Sequence, residues 1–171
     1  EAAKQGVMVM AFYGHVQTGE TVDASCLSQW FPCSFLAEGE TYTTAEQYMM
    51  AEKAKLFGDK EIRLQILRER DPMVSKRLGR KVRDFEKEVW DARCGDIVVA
   101  GNIAKFSQNP EMKAFLLATG NTILAEAAPR DRIWGIGMGK NNPLAQDPAN
   151  WKGKNLLGFA LMEARDALRE R

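Results

Sequence analysis

A carboxylate and an amine seven residues apart carry the first chemistry in this sequence. Glu46 and Lys53 lie in Thr43 to Phe57, TTAEQYMMAEKAKLF, a run of good helix formers with Thr44 placed to cap it. At 100° per residue, Glu46, Met49, Met50, Lys53 and Phe57 share one apolar stripe, while Tyr48, Glu52 and Lys55 point elsewhere. The two charges sit two turns apart, ~10 Å along the axis. Burying either costs several kcal/mol unless it is paired. The stripe therefore faces a cleft; the alternative is that both side chains snorkel to water from a partly exposed helix.

Three other stretches hold groups able to act on a ligand. Asp131 stands between Arg130 and Arg132, which favours its charged form if either side chain turns towards it. The same segment runs through Trp134 into Gly135-Ile136-Gly137-Met138-Gly139-Lys140. Glycine at every second position lets the backbone approach a ligand, and its amides can cradle phosphate; the alternative is a plain glycine turn. The spacing is neither that of a P-loop nor, with Asn141-Asn142-Pro143 following, that of a dinucleotide fingerprint. Lys76 to Arg83, KRLGRKVR, holds five basic residues in eight, either a solvated face or a phosphate contact. No aromatic residue interrupts that run, so base stacking there has little support.

These groups must be positioned by a chain of 171 residues with ordinary globular composition, 45% apolar and 27% charged, which fits a single domain. A net charge of +1 gives no gross attraction to nucleic acid or an anionic membrane. No apolar run reaches the ~18 residues of a membrane span. The start, EAAKQGVMVM, has no secretory pattern and no initiator Met, as if cropped. Three cysteines (Cys26, Cys33, Cys94) without a CxxC pair suggest a reducing, cytoplasmic setting. With His15 the only histidine, a His/Cys zinc site is disfavoured, as is a Ser-His-Asp triad; a carboxylate Mg²⁺ site stays open. No cofactor is expected.

In chain order, Val7–Tyr13 reads as a buried strand and 14–23 as a polar loop. A hairpin turning at Glu38-Gly39, with Pro32 at an edge or bend, delivers the chain into the Glu46 helix. Asp59 caps a helix over 60–70, and Asp71-Pro72 starts a third that Gly79 breaks. Asp84 is expected to cap a long helix over about 85–106. Its core stripe would be Phe85, Val89, Ala92, Val99, Ala100, Ile103 and Phe106, with Trp90 about 100° off it. A helix over 111–119, a strand at 121–128, a loop over 142–151 and a last helix opened by Asn155 follow. Leu157, Leu161, Ala164 and Leu168 form the core face of that last helix.

Taken together, the motifs resemble the NADAR family of YbiA-like N-glycosidases. The matching pieces are Leu27-Ser28-Gln29-Trp30-Phe31-Pro32 with Phe35, Tyr42 to Tyr48 with Lys53, and Lys76 to Arg80 with Trp90. Asp131 to Gly137 and Trp151 to Gly158 complete the set, which spans about residues 12–170 in the family's order. Gln29-Trp30 stands where many relatives have Asn-Phe. The resemblance implies one compact α+β domain, mostly helical with a small β component, that hydrolyses a ribosyl C1′–N bond. Two substrate classes are implied: phosphoribosylamino-pyrimidine intermediates of riboflavin synthesis, and ADP-ribosylated guanine, free or in a single-stranded nucleic acid. No membrane partner is implied. Glu46, Trp90, Asp131 and Trp134 match the family's functional positions, and Lys53 and Asn155 are added to them.

Cleavage of an N-ribosyl bond develops positive charge at C1′, which a nearby carboxylate stabilises. Glu46 and Asp131, from distant parts of the chain, are expected to meet around one sugar and divide acid and base duties. Lys53, if desolvated, is either an amine nucleophile forming a Schiff base with the opened sugar or a phosphate contact. Trp90 and Trp134 would wall the base, and Arg77, Arg80, Arg132, Gly135 and Gly137 are candidate substrate contacts. The alternative from another class is a module that binds ADP-ribose or a nucleotide without catalysis.

Overall fold

The computed structural model describes residues 8–170. In order, its elements are β1 (Val9–Phe12), β2 (Phe35–Ala37), β3 (Glu40–Tyr42), α1 (Ala45–Leu56), α2 (Lys60–Leu67), α3 (Pro72–Gly79), α4 (Lys87–Ser107), α5 (Pro110–Ala118), β4 (Ile123–Glu126) and α6 (Leu156–Arg169). Helices dominate and the strands form two small pairs, the α+β architecture expected. The expected first strand began at Val7, which lies outside the described residues. The chain divides into two compact units, residues 29–110 and residues 8–28 with 111–170.

In the 29–110 unit, β2 and β3 form an antiparallel hairpin with Phe35 opposite Tyr42. Glu38 (φ +49°) and Gly39 (φ +84°) are both left-handed, the turn that suits the twist of a two-residue hairpin. Phe35, Tyr42 and Tyr48 then pack ring on ring at centroid separations of 5.2–6.1 Å. Thr44 caps α1, accepting the Gln47 amide at 3.1 Å. Three helices, α2, α3 and α4, pack around α1, and every residue from Ala45 to Ala51 is buried. This corrects the single-stripe reading: Tyr48 is buried, not outward, because neighbours cover more than one face. Gly101 lets α4 come close, since a Cβ there would lie 2.6 Å from Tyr48 Cδ1.

Asp59 caps α2 through the Ile62 amide (3.1 Å), and Arg83 grips the same carboxylate, Nη2 to Oδ1 at 3.0 Å. One arginine of the basic run is thus structural. Asp84 does not cap α4; it takes φ +58° in the preceding turn, and α4 starts after Glu86 without a side-chain cap. The buried face of α4 is also not the expected one. Cys94, Val98, Gly101, Asn102, Lys105 and Phe106 are buried, whereas Phe85, Val89, Ala92 and Ala100 are exposed. Two polar residues at core positions displaced the apolar pattern used to place the stripe. Trp90 lies one turn before Cys94 on this true inner face.

In the other unit, β1 and β4 pair in parallel, Val9 opposite Ile123 and Phe12 opposite Glu126. Val9, Ala125, Ala127, Ile136, Met138 and Ala145 form one core cluster. Helix α6 packs on β4 and buries Leu157, Leu161, Ala164 and Leu168, as its periodicity predicts. Two short 3-10 turns, Pro143–Gln146 and Pro148–Asn150, punctuate the loop that follows the glycine segment.

Candidate active site

Glu46 occupies the first turn of α1 and is 5% exposed. Its own amide donates to the Gln29 carbonyl at 2.9 Å, satisfying one of the donors a helix start leaves open. Two turns on, the Lys53 ammonium sits 4.6 Å from the Phe85 ring centroid and 5.6 Å from that of Trp90. Phe85 is itself braced edge-on by Phe57, centroids 5.3 Å apart. Burial pushes the Lys53 amine below the ordinary lysine pKa; the Glu46 carboxylate opposes this and the Arg80 charge adds to it. The helical unit therefore brings together Glu46, Lys53, Trp90 and Arg80. Arg80, at the end of α3, is exposed, as are Arg77 and Lys76, whose ammonium lies 6.0 Å over the Trp30 ring.

Asp131, Arg132, Trp134, Gly135, Gly137 and Asn155 belong to the other unit. Asp131 is half-buried, and its Oδ1 accepts the amides of Ile133 (2.9 Å) and Trp134 (2.8 Å). It thus folds its own turn through main-chain amides, not through the arginines on either side. Residues 132–136 then lie along 152–157. The amides of Lys154, Asn155 and Leu157 donate to the carbonyls of Arg132, Gly135 and Trp134 at 2.8–3.1 Å. A Cβ on Gly135 would meet the Asp131 carbonyl at 2.9 Å, and one on Gly137 the Arg132 and Lys152 side chains at 3.2 Å. Close chain packing accounts for these glycines without a phosphate. Asn155 is fully buried at φ +53°; its Oδ1 accepts the Glu126 amide (3.0 Å) and its Nδ2 donates to the Leu124 carbonyl (2.9 Å). Both ends of that amide are committed to β4.

The periodicity predicts Phe85 in the core, yet it stands 43% exposed over Lys53; nothing in its spacing marks a partner 32 residues earlier. Gln47 carries no sequence signal for its role. It is buried, its Nε2 reaches the carbonyls of Ile66 (3.0 Å) and Glu69 (2.8 Å), and its Oε1 takes the Thr43 amide. It welds the start of α1 to the end of α2. Burial raises the thiol pKa of both Cys33 and Cys94, which makes them poor nucleophiles. Among the described residues, no group of three His, Cys, Asp or Glu side chains converges as a metal site, and no helix is long and apolar enough to cross a membrane.

With this arrangement in view, comparison with known proteins gives the family. The NADAR domain model matches residues 11–169, and the chain belongs to that family. N-glycosidase R617 of Acanthamoeba polyphaga mimivirus is 46% identical over 144 residues, covering 81% of this chain and 85% of the relative. N-glycosidase YbiA of Escherichia coli is 35% identical over 131 residues, 77% of this chain and 73% of that protein. The NMR structure of E. coli YbiA matches with a TM-score of 0.76 at 31% identity, over 95% of this chain and 85% of the other. Riboflavin biosynthesis protein VVA0006 of Vibrio vulnificus is 30% identical over 144 residues, 84% of this chain but 35% of that longer protein. Relatives of this chain thus include enzymes that hydrolyse N-glycosyl compounds.

Proposed function

We propose that this protein is an N-glycosidase that hydrolyses the C1′–N bond of a ribosyl group. The observation that carries the proposal is a half-buried amine, Lys53, held against the Trp90 indole two helical turns from a buried carboxylate, Glu46. The names of its N-glycosidase relatives support the same chemistry.

As the C1′–N bond lengthens, the sugar carbon becomes cationic and the base collects the bonding electrons. Glu46, if charged, stabilises that carbon electrostatically, and being buried it does so with little screening by water. The lowered pKa of Lys53 enlarges its neutral, nucleophilic fraction. In the route we favour, the ribosyl ring opens and the Lys53 amine adds to C1′. The base leaves as the neutral amine, taking a proton, and a Schiff base remains. Water then adds to that imine, the lysine amine departs, and the aldehyde recloses as the free sugar. Trp90 offers a flat face to the base, a contact worth about 1–3 kcal/mol. Arg80, exposed at the end of α3, is proposed to meet a phosphate of the substrate.

Two substrates fit the proposal: a phosphoribosylamino-pyrimidine of riboflavin synthesis, for which the riboflavin-named relative is the support, or ADP-ribosylated guanine. The test incubates the protein separately with each, the second carried on a guanosine oligonucleotide, and looks for ribose 5-phosphate or ADP-ribose. Release from one, lost in Glu46→Gln, is expected. Tight binding of ADP-ribose without release from either substrate would instead favour a non-catalytic binding module.

A further inference from the structure

The helical unit contains a polar contact that the proposed chemistry does not use and that hydrophobic packing does not explain. Asn102 stands in the inner face of α4 with 0% exposure. Its Nδ2 donates to the Val98 carbonyl one turn back (2.9 Å) and to Gln29 Oε1 (3.0 Å). Its Oδ1 is buried and takes no hydrogen bond from the described residues. A leucine of similar bulk would leave no such acceptor unmet, so the amide is a costly choice for filling space. What distinguishes it is the partner. Gln29, itself buried, is the residue whose carbonyl receives the Glu46 amide.

We infer that Asn102 is a positioning residue: through Gln29 it fixes the first turn of α1 and hence the placement of the Glu46 carboxylate. The inference rests on the role assigned to Glu46 above. Its geometric basis is that three of the contacts at this helix start, among the described residues, differ in what they fix. Thr44 holds the Gln47 amide, and the Gln47 side chain ties α1 to α2, but neither bond involves a Glu46 atom. The Gln29 carbonyl alone among the three bonds the peptide of Glu46 itself. Next to Asn102, Gly101 packs against the Tyr48 ring and sets how closely α4 approaches α1. The Asn102–Gln29 bond then holds Gln29 at the helix end, where a side-chain misplacement of an ångström is enough to slow a positioned group severely.

The test uses Asn102→Leu, Gln29→Met and the double variant, with thermal stability, kcat and KM measured for each on the substrate that proves active. Each single variant strands one buried polar partner and should melt earlier. The double removes both partners and should regain most of that stability. The expected result is a double variant nearly as stable as wild type that is still roughly 10–100-fold lower in kcat, with KM changed less than about threefold. A double variant that regains kcat together with stability shows the pair to be merely structural and overturns the inference. So does a folded Gln29→Met with wild-type kcat, a reading that remains if Asn102→Leu does not fold. Glu46→Gln measured in parallel separates the two levels: if it keeps its rate, the functional reading fails, whatever the Asn102 variants do.

Discussion

The start of α1 and the loop around Asp131 both carry a carboxylate of interest, yet they use polar groups in opposite ways. A helix closes its backbone hydrogen bonds internally after its first turn, so the Lys53 side chain is spent on rings and charge rather than on main chain. The loop has no such ladder. Asp131 there satisfies two amides, and Asn155 bridges the backbone of β4 at both ends of its side chain. The same division separates a buried cation, Arg165, from a half-buried one, Lys53. Arg165 donates to Thr119 Oγ1 and to the Thr122 carbonyl, in the turn between α5 and β4. Lys53 faces two aromatic rings and the field of a carboxylate. The comparison teaches that what a polar side chain donates to, more than its burial, separates a structural group from a chemical one.

The largest effect expected from this contrast is at Lys53. Lys53→Ala should lower kcat by roughly 10²–10⁴-fold while the protein stays folded, and Lys53→Arg should be equally impaired, read by initial rates and circular dichroism. Full activity in Lys53→Arg would remove the amine from the chemistry and leave it a phosphate contact. Because the lysine pKa is lowered, the rate should rise with pH through a value below the ordinary ~10.4, which a pH–rate profile would show. Asn155→Ala sharpens the other side of the contrast. It strands the Glu126 amide and the Leu124 carbonyl and should cost about 3 kcal/mol in urea unfolding. A stable Asn155→Ala with lost activity would reverse its assignment.

Asp59 gives a pH signature of stability without a role in the reaction. The Arg83 side chain and amide, with the Ile62 amide, hold its carboxyl well below the usual carboxylate range. Its folded pKa is depressed, so its contribution is complete above the unfolded pKa of about 4 and is lost as pH falls further. The stability gap between wild type and Asp59→Asn should therefore be constant near neutrality and shrink below about pH 4, followed by chemical denaturation. The smallest effect belongs to the exposed pair Lys87–Asp91, 2.6 Å apart on the outside of α4. Lys87→Ala should leave the thermal melting temperature indistinguishable from wild type.

Much of this was legible in the residues, and where it was not the reason is physical. The hairpin turn at Glu38-Gly39, the caps Thr44, Asp59 and Asp71, and the inner face of α6 follow from local rules and stand in the structure. The buried face of α4 departs from its apolar periodicity because Asn102 and Lys105 occupy core positions that an apolar pattern scores as surface. The placement of Lys53 beside Trp90 and Phe85 depends on helix packing that no periodicity encodes. Asp131 and Asn155 drew notice for their chemistry, whereas their hydrogen bonds show how each also serves the backbone.

The claim on which the rest depends is that the buried carboxylate of α1 acts on the sugar. The direct measurement is single-turnover cleavage of the C1′–N bond by Glu46→Gln, a near-isosteric change that replaces the carboxyl group by an amide, alongside its affinity for the same substrate. Cleavage should fall by roughly 10²–10⁴-fold with the affinity and melting temperature little changed. Cleavage at the wild-type rate would contradict the account.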